Sequence, residues 1–160
     1  MCIRDSAELV GSDANWAYSY VDVSGGLLIG GLAAHVDGSS QLRGVGATGN
    51  VSSTSSGSLV GGLVGENSGT VANGFSTGTV SNTAGAMTGG LVAHTTSIIE
   101  LAWSSSDIFG GGDTGGLIGR QSAAGFTLAT AATGHIGGSG SNVGGLIGYM
   151  TGTGLMERVL

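Results

Sequence analysis

Leu59-Val60-Gly61-Gly62-Leu63-Val64-Gly65, followed by Asn73-Gly74-Phe75-Ser76-Thr77-Gly78-Thr79-Val80-Ser81, is the stretch whose reading decides the fold. Its first half returns as Gly89-Gly90-Leu91-Val92-Ala93, Gly115-Gly116-Leu117-Ile118-Gly119 and Gly144-Gly145-Leu146-Ile147-Gly148. Weaker copies are Gly30-Gly31-Leu32-Ala33-Ala34 and Glu8-Leu9-Val10-Gly11. The central leucines Leu32, Leu63, Leu91, Leu117 and Leu146 recur at a nearly even spacing. The second half recurs as Trp16 to Ser24 and Leu101 to Phe109, with shortened copies at Thr48 to Ser52 and Thr133 to Gly137. Two linked blocks in fixed order mark a tandem repeat, not a bias of composition.

Within a unit the periodicity is that of strands. In Thr77 to Ser81 the hydroxyl side chains alternate with Gly78 and Val80, placing them on opposite faces. A helix is disfavoured, because each glycine inside one costs about 1 kcal/mol against alanine. The pattern therefore predicts an all-β parallel β-solenoid (β-helix) of about five to six rungs, roughly 28 residues each. In it Leu32, Leu63, Val64, Leu91, Val92, Leu117, Ile118, Leu146 and Ile147 form the buried repeat core. Glycine is expected to supply positive-φ corners and close approach between layers. A β-sandwich or propeller is the competing architecture, and it calls for hairpin turns such as Asn-Gly or Asp-Gly in register. Only Asn73-Gly74 and Asp37-Gly38 occur, at unrelated repeat positions.

Composition narrows the function classes. The chain has 35 glycines and no proline, which excludes collagen. Apolar residues make up 40% of the chain and recur at fixed places, which argues against disorder. Four arginines and no lysine stand against ten carboxylates, leaving no basic cluster for nucleic acid or an anionic membrane surface. Insertion of this segment into a membrane is not expected. Its longest apolar stretch, Leu27 to Ala34, is far short of a membrane-spanning helix. The one cysteine, Cys2, has no internal partner. Residues 1–6 fit no repeat and read as a stray extension or the start of a fragment. Residues 7–154 read as the solenoid and 155–160 as a truncated tail.

The Gly-Gly-Leu-Val-Gly core with its Asn-Gly-Phe-Ser-Thr-Gly-Thr-Val-Ser block resembles the GLUG motif of bacterial surface proteins. The likeness covers roughly Leu9 to Tyr149 and is sharpest over 59–81. It implies a secreted or cell-surface location, and a non-catalytic role as adhesin stalk or display scaffold facing a host surface protein or glycan. Two other roles stay open: a spacer in a multidomain extracellular peptidase, and a fragment of a β-helix carbohydrate-active enzyme. Exposed strand edges at solenoid ends also predict self-association.

No cofactor, metal or catalytic residue is expected, and each constellation has a structural reading. Gly44/Gly46/Gly49 and Gly110/Gly112/Gly115 match G-x-G-x-x-G, yet neither lies between a strand and a helix as a dinucleotide site requires. Gly137 to Asn142 resembles one calcium nonapeptide with asparagine for the aspartate. His35 and His94 share a repeat position with Ser12, Glu66, Arg120 and Tyr149, giving one solvated column. With rungs about 4.8 Å apart, the two histidines are too distant to hold one zinc. Asp22 and Asp107 share a column three rungs apart, too far for a hydrolytic pair, whereas Asp37 and Asp113 are expected in unaligned loops. Trp16, Tyr18, Phe75 and Trp103 are expected to pack as a core or corner ladder, the alternative being an exposed strip for glycan stacking. Hydroxyl rows interrupted by Asp22, Asn50, Asp107 and His135 argue against ice binding.

Overall fold

The chain is a parallel β-solenoid, seen in a computed structural model that describes residues 7–122 and 124–160. The leader assigned to residues 1–6 lies outside the described residues. Each rung passes through five short strands, and strands of successive rungs pair in parallel to form five faces. The first face holds Ala7–Leu9, Ala33–Val36, Val64–Asn67, Val92–Thr95, Ile118–Gln121 and Ile147–Met150. The second holds Asp13–Asn15, Gln41–Arg43, Thr70–Ala72, Ile98–Glu100, the start of Phe126–Ala132, and Leu155–Val159. The third holds Tyr18–Ser19, Gly46–Ala47, Phe75–Ser76, Trp103–Ser104 and the end of Phe126–Ala132. The fourth holds Val23–Gly25, Val51–Ser53, Thr79–Asn82, Asp107–Gly110 and Ile136–Gly138. The fifth holds Leu28–Gly30, Leu59–Gly61, Met87–Gly89, Asp113–Gly115 and Asn142–Gly144.

The repeat leucines set the register. The N–H of Leu32 donates to the carbonyl of Leu63, Leu63 to Leu91, Leu91 to Leu117 and Leu117 to Leu146, at 2.8–2.9 Å. Leu63, Val64, Leu91, Val92, Leu117 and Ile118 are fully buried in one cluster, with Leu32, Leu146 and Ile147 packed against it and partly exposed. A second cluster stacks Val23, Val51, Val80 and Ile108 on the fourth face beside Ile29 and Val60 of the fifth. No rung could bury these side chains alone; each needs the rung above and below.

Two boundaries differ from the sequence reading. Leu155–Val159 is a strand that pairs with Phe126–Ala132, so the stack continues past residue 154. At the other end Leu9 pairs with Val36, not with Leu32, and Glu8 pairs with His35. The copy Glu8-Leu9-Val10-Gly11 is therefore out of step with the other cores.

The double glycine is required by close approach. A Cβ on Gly31, Gly62, Gly90 or Gly116 would collide with the carbonyl oxygen of the matching glycine one rung on, whereas Gly145 has open space there. Positive φ falls on Gly11, Gly44, Gly57, Gly78 and Gly152, as expected of corner glycines, and also on residues that carry a side chain. One corner column, between the second and third faces, is left-handed in every rung: Trp16, Gly44, Asn73, Leu101, Ala129 and Arg158, with φ between 50° and 62°. Five of the six carry a Cβ, so this corner stores strain that glycine would relieve. Ala129→Gly is expected to stabilise the protein by about 1 kcal/mol. Urea melts of the two proteins check this; an unchanged midpoint would mean that the corner relaxes at no cost.

The unequal repeat lengths are absorbed at only two corners. Between the first and second faces the connections are 37–40, 68–69, 96–97, 122–125 and 151–154. Between the fourth and fifth they are 26–27, 54–58, 83–86, 111–112 and 139–141. The Gly-Leu corner is the same length in every rung. The variable corners are tied from inside by buried polar side chains. Asn67 donates to Thr95 Oγ1 at 3.1 Å and accepts from the Gly69 N–H at 3.2 Å. Asn82 donates to the carbonyls of Ser58 and Met87 at 3.1 and 3.0 Å, and Gln121 to that of Gly125 at 2.8 Å. A loop can change length here because one side chain still satisfies its backbone groups.

Candidate functional site

Strand alternation turns one residue of each first-face strand outward, and register stacks these into a column: His35, Glu66, His94, Arg120 and Tyr149. Its first backbone position belongs to Glu8, so Ser12, assigned there from the sequence, falls outside the column. The column is linked by side chains. Glu66 Oε1 lies 3.2 Å from His94 Nδ1, and His94 Nε2 lies 2.9 Å from Ser122 Oγ. Arg120 stands over the Tyr149 ring at 5.3 Å and pairs with Asp113 at 2.5 Å. Asp113 is not in a loop: it opens the strand Asp113–Gly115, is 5% exposed, and accepts from Asn142 Nδ2 at 2.8 Å. The Asn142 of the calcium-like stretch is thus committed to a neighbouring rung.

Glu66, His94 and Ser122 have the connectivity of an acid–imidazole–hydroxyl relay. Such a relay needs N–H donors for the oxyanion that forms. The N–H of Ser122 donates instead to the Thr95 carbonyl at 2.9 Å, within the rung ladder. The geometry serves as a tie across three rungs. Ser122 lies two residues past Arg120, the register partner of His94, so repeat position alone does not bring it to His94. Among the described residues no three His, Cys, Asp or Glu side chains converge as a metal site.

The acidic candidates are also backbone ties. Asp22, Asn50, Thr79 and Asp107 form one column across four rungs. Asp22 Oδ1 accepts the N–H of Asn50 at 2.7 Å, and Asp107 Oδ1 that of His135 at 3.0 Å. Asp37 closes a first-to-second-face loop. It accepts from Ser40 Oγ at 2.7 Å, Ser39 Oγ at 2.9 Å, and the N–H groups of Ser39 and Gly11 at 3.0 and 3.2 Å. These donors, Ser40 foremost, hold its carboxyl down from 3.8 to about 2. A depressed folded value stabilises the protein above the unfolded value and loses that effect on acidification through the folded one. The advantage of the native protein over Asp37→Asn is thus expected to be flat above about pH 4 and to vanish toward about pH 2. Melting temperature against pH for both proteins checks the sign; a difference that persists at about pH 2 would refute it.

The aromatic residues face solvent and do not fill the core. Trp16 is 75% exposed, and Tyr18 and Trp103 are each 44% exposed. On the third face Phe75 stacks on Trp103, centroids 5.1 Å apart and planes 10° apart, and meets Tyr18 at 6.1 Å. The alternation was legible, but not that the small residues Ala47, Ser76 and Ser104 take the buried side and leave the rings outside. Between these rings the second rung carries Gly44 and Gly46. A Cβ on Gly44 would sit 2.6 Å from the Trp16 ring, and one on Gly46 would collide with the Phe75 ring. Two glycines of the G-x-G-x-x-G match are therefore places for neighbouring rings.

The chain matches no protein-family model, no curated protein and no solved structure.

A groove of about 550 Å³ opens where the second and third faces meet, lined by Leu101, Trp103, Ala129, Ala131, Arg158 and Leu160 among others. None of its aliphatic or cationic residues had stood out in the sequence, because they occupy the left-handed corner and its neighbour with no common residue type. It combines an aromatic wall, a floor of methyl groups and one guanidinium.

Proposed function

We propose that this chain is a rigid repeat segment of a secreted or cell-surface bacterial protein, serving as an adhesin stalk that holds loops away from the cell. The observation that carries the reading is the confinement of length variation to two corners. Rungs of unequal length keep the same Gly-Leu corner and the same buried columns while their loops change. Surface loops on a constant scaffold are where binding diversity is placed at least structural cost. The charge-tied first face and the hydrogen-bonded Asx column reinforce the stack along its axis without asking for a ligand. The GLUG resemblance supplies the cellular setting.

The test is an epitope inserted into loop 54–58 of the full-length protein in a bacterial host. Antibody labelling of intact cells is expected; labelling only after lysis would overturn the assignment. The purified chain is also expected to self-associate, since Asn142–Gly144 and Ile147–Met150 are edge strands and unpaired edges invite pairing with another copy. Light scattering that shows a monomer at high concentration would refute this.

A further inference from the structure

We infer that the groove between the second and third faces is a binding site for an acidic sugar, a hexuronate unit of a polysaccharide. The inference deepens the display role and rests on that reading.

The stack itself shows what fits such a notch. In the second rung, Gly44 and Gly46 leave a gap, and the rings of Trp16 and Phe75 lie across it. In the fifth rung the same two columns carry Ala129 and Ala131, and there the gap is the open groove. Phe75, one rung earlier, stacks on Trp103. Ala131, the register partner of Trp103 one rung later, brings only a methyl group. The groove thus opens on the side of Trp103 away from Phe75, over Ala129 and Ala131.

Chemistry selects the occupant. The ring face of Trp103 carries negative quadrupole and attracts the C–H face of a pyranose. Arg158 lines the opposite end, and no ion pair among the described residues involves it. A guanidinium presents a planar fork that suits a carboxylate. A ring that bears a carboxylate and has one apolar face meets both demands, which a neutral sugar does not.

The experiment uses the whole chain with Trp16→Phe, which leaves Trp103 as the only tryptophan. Trigalacturonate is titrated against its fluorescence and by calorimetry, with maltotriose as the neutral probe. Saturable binding of trigalacturonate is expected, at least about tenfold tighter than maltotriose. Arg158→Gln should weaken it about tenfold. Ala131→Phe, which fills the notch as Phe75 fills the gap at Gly46, should abolish it while the β circular dichroism persists. Absence of saturable binding, or equal binding of both sugars untouched by Arg158→Gln, would overturn the inference. If the epitope labels intact cells yet trigalacturonate fails, the groove assignment alone falls; if labelling fails, the display role falls with it.

Discussion

Gly90→Ala is expected to unfold the middle of the stack, while Gly145→Ala, the same change at the same repeat position, is expected to leave stability unchanged. At Gly90 the new methyl would collide with the carbonyl oxygen of Gly116 and crowd Ser104 Oγ and the Ile108 side chain. The carbonyl is backbone inside a ladder: the N–H of Gly90 donates to Gly115 at 3.1 Å, and that of Leu91 to Leu117 at 2.9 Å. Making room would separate the third and fourth rungs from the fifth and break those bonds together. A loss above about 4 kcal/mol, the exceptional range for a point change, is expected. Gly145 meets nothing within 4 Å. Its change should stay within about 0.5 kcal/mol, as for an open surface site. Urea melts followed by far-ultraviolet circular dichroism check the pair. Equal losses would show that the glycines serve conformation and not approach.

The contrast also explains what could be read from the sequence. The leucine spacing, the strand alternation and the two-block alignment rest on burial, and burial repeats with the chain; Tyr18, Gly46, Phe75 and Trp103 do lie in one column. The solenoid class and the buried leucines followed from that alone. The left-handed corner did not, because Trp16, Asn73, Leu101, Ala129 and Arg158 share no side-chain property. Their conformation is imposed by the strands on either side, a tertiary constraint without a local signature. The aromatic column was misplaced for a related reason. Alternation assigns residues to two faces but does not say which face is inside when neighbouring columns are Ala47, Ser76 and Ser104, small enough to face a tight interior. Pairs such as Arg120 with Asp113 join the fifth face of one rung to the first face of the next across a corner, so repeat spacing alone does not bring them together. The cross-rung tie of His94 to Ser122 was hidden differently, since only the side-chain geometry distinguishes it from an unrelated residue one repeat further on.

Leu91→Ala is the second large effect, expected to cost about 3 kcal/mol, within the range for a leucine truncated in a packed core. Leu91 is fully buried, and its backbone is bonded to the neighbouring rungs through Leu63 and Leu117. The side chains of those two leucines belong to the same buried cluster, so the cavity opens in the interior of the stack and cannot collapse toward solvent. Leu146 is partly exposed. Leu146→Ala removes the same atoms and should cost about 1 kcal/mol, following the smaller apolar area returned to water. The middle position has a further consequence. Each rung touches only its neighbours, so a weakened interface at the fourth rung uncouples the rungs on either side. Denaturant unfolding of Leu91→Ala should therefore broaden or split, while that of Leu146→Ala keeps one sharp step. Equal losses and equal sharpness in the two variants would mean that the leucine column is not the continuous spine through which one rung stabilises the next.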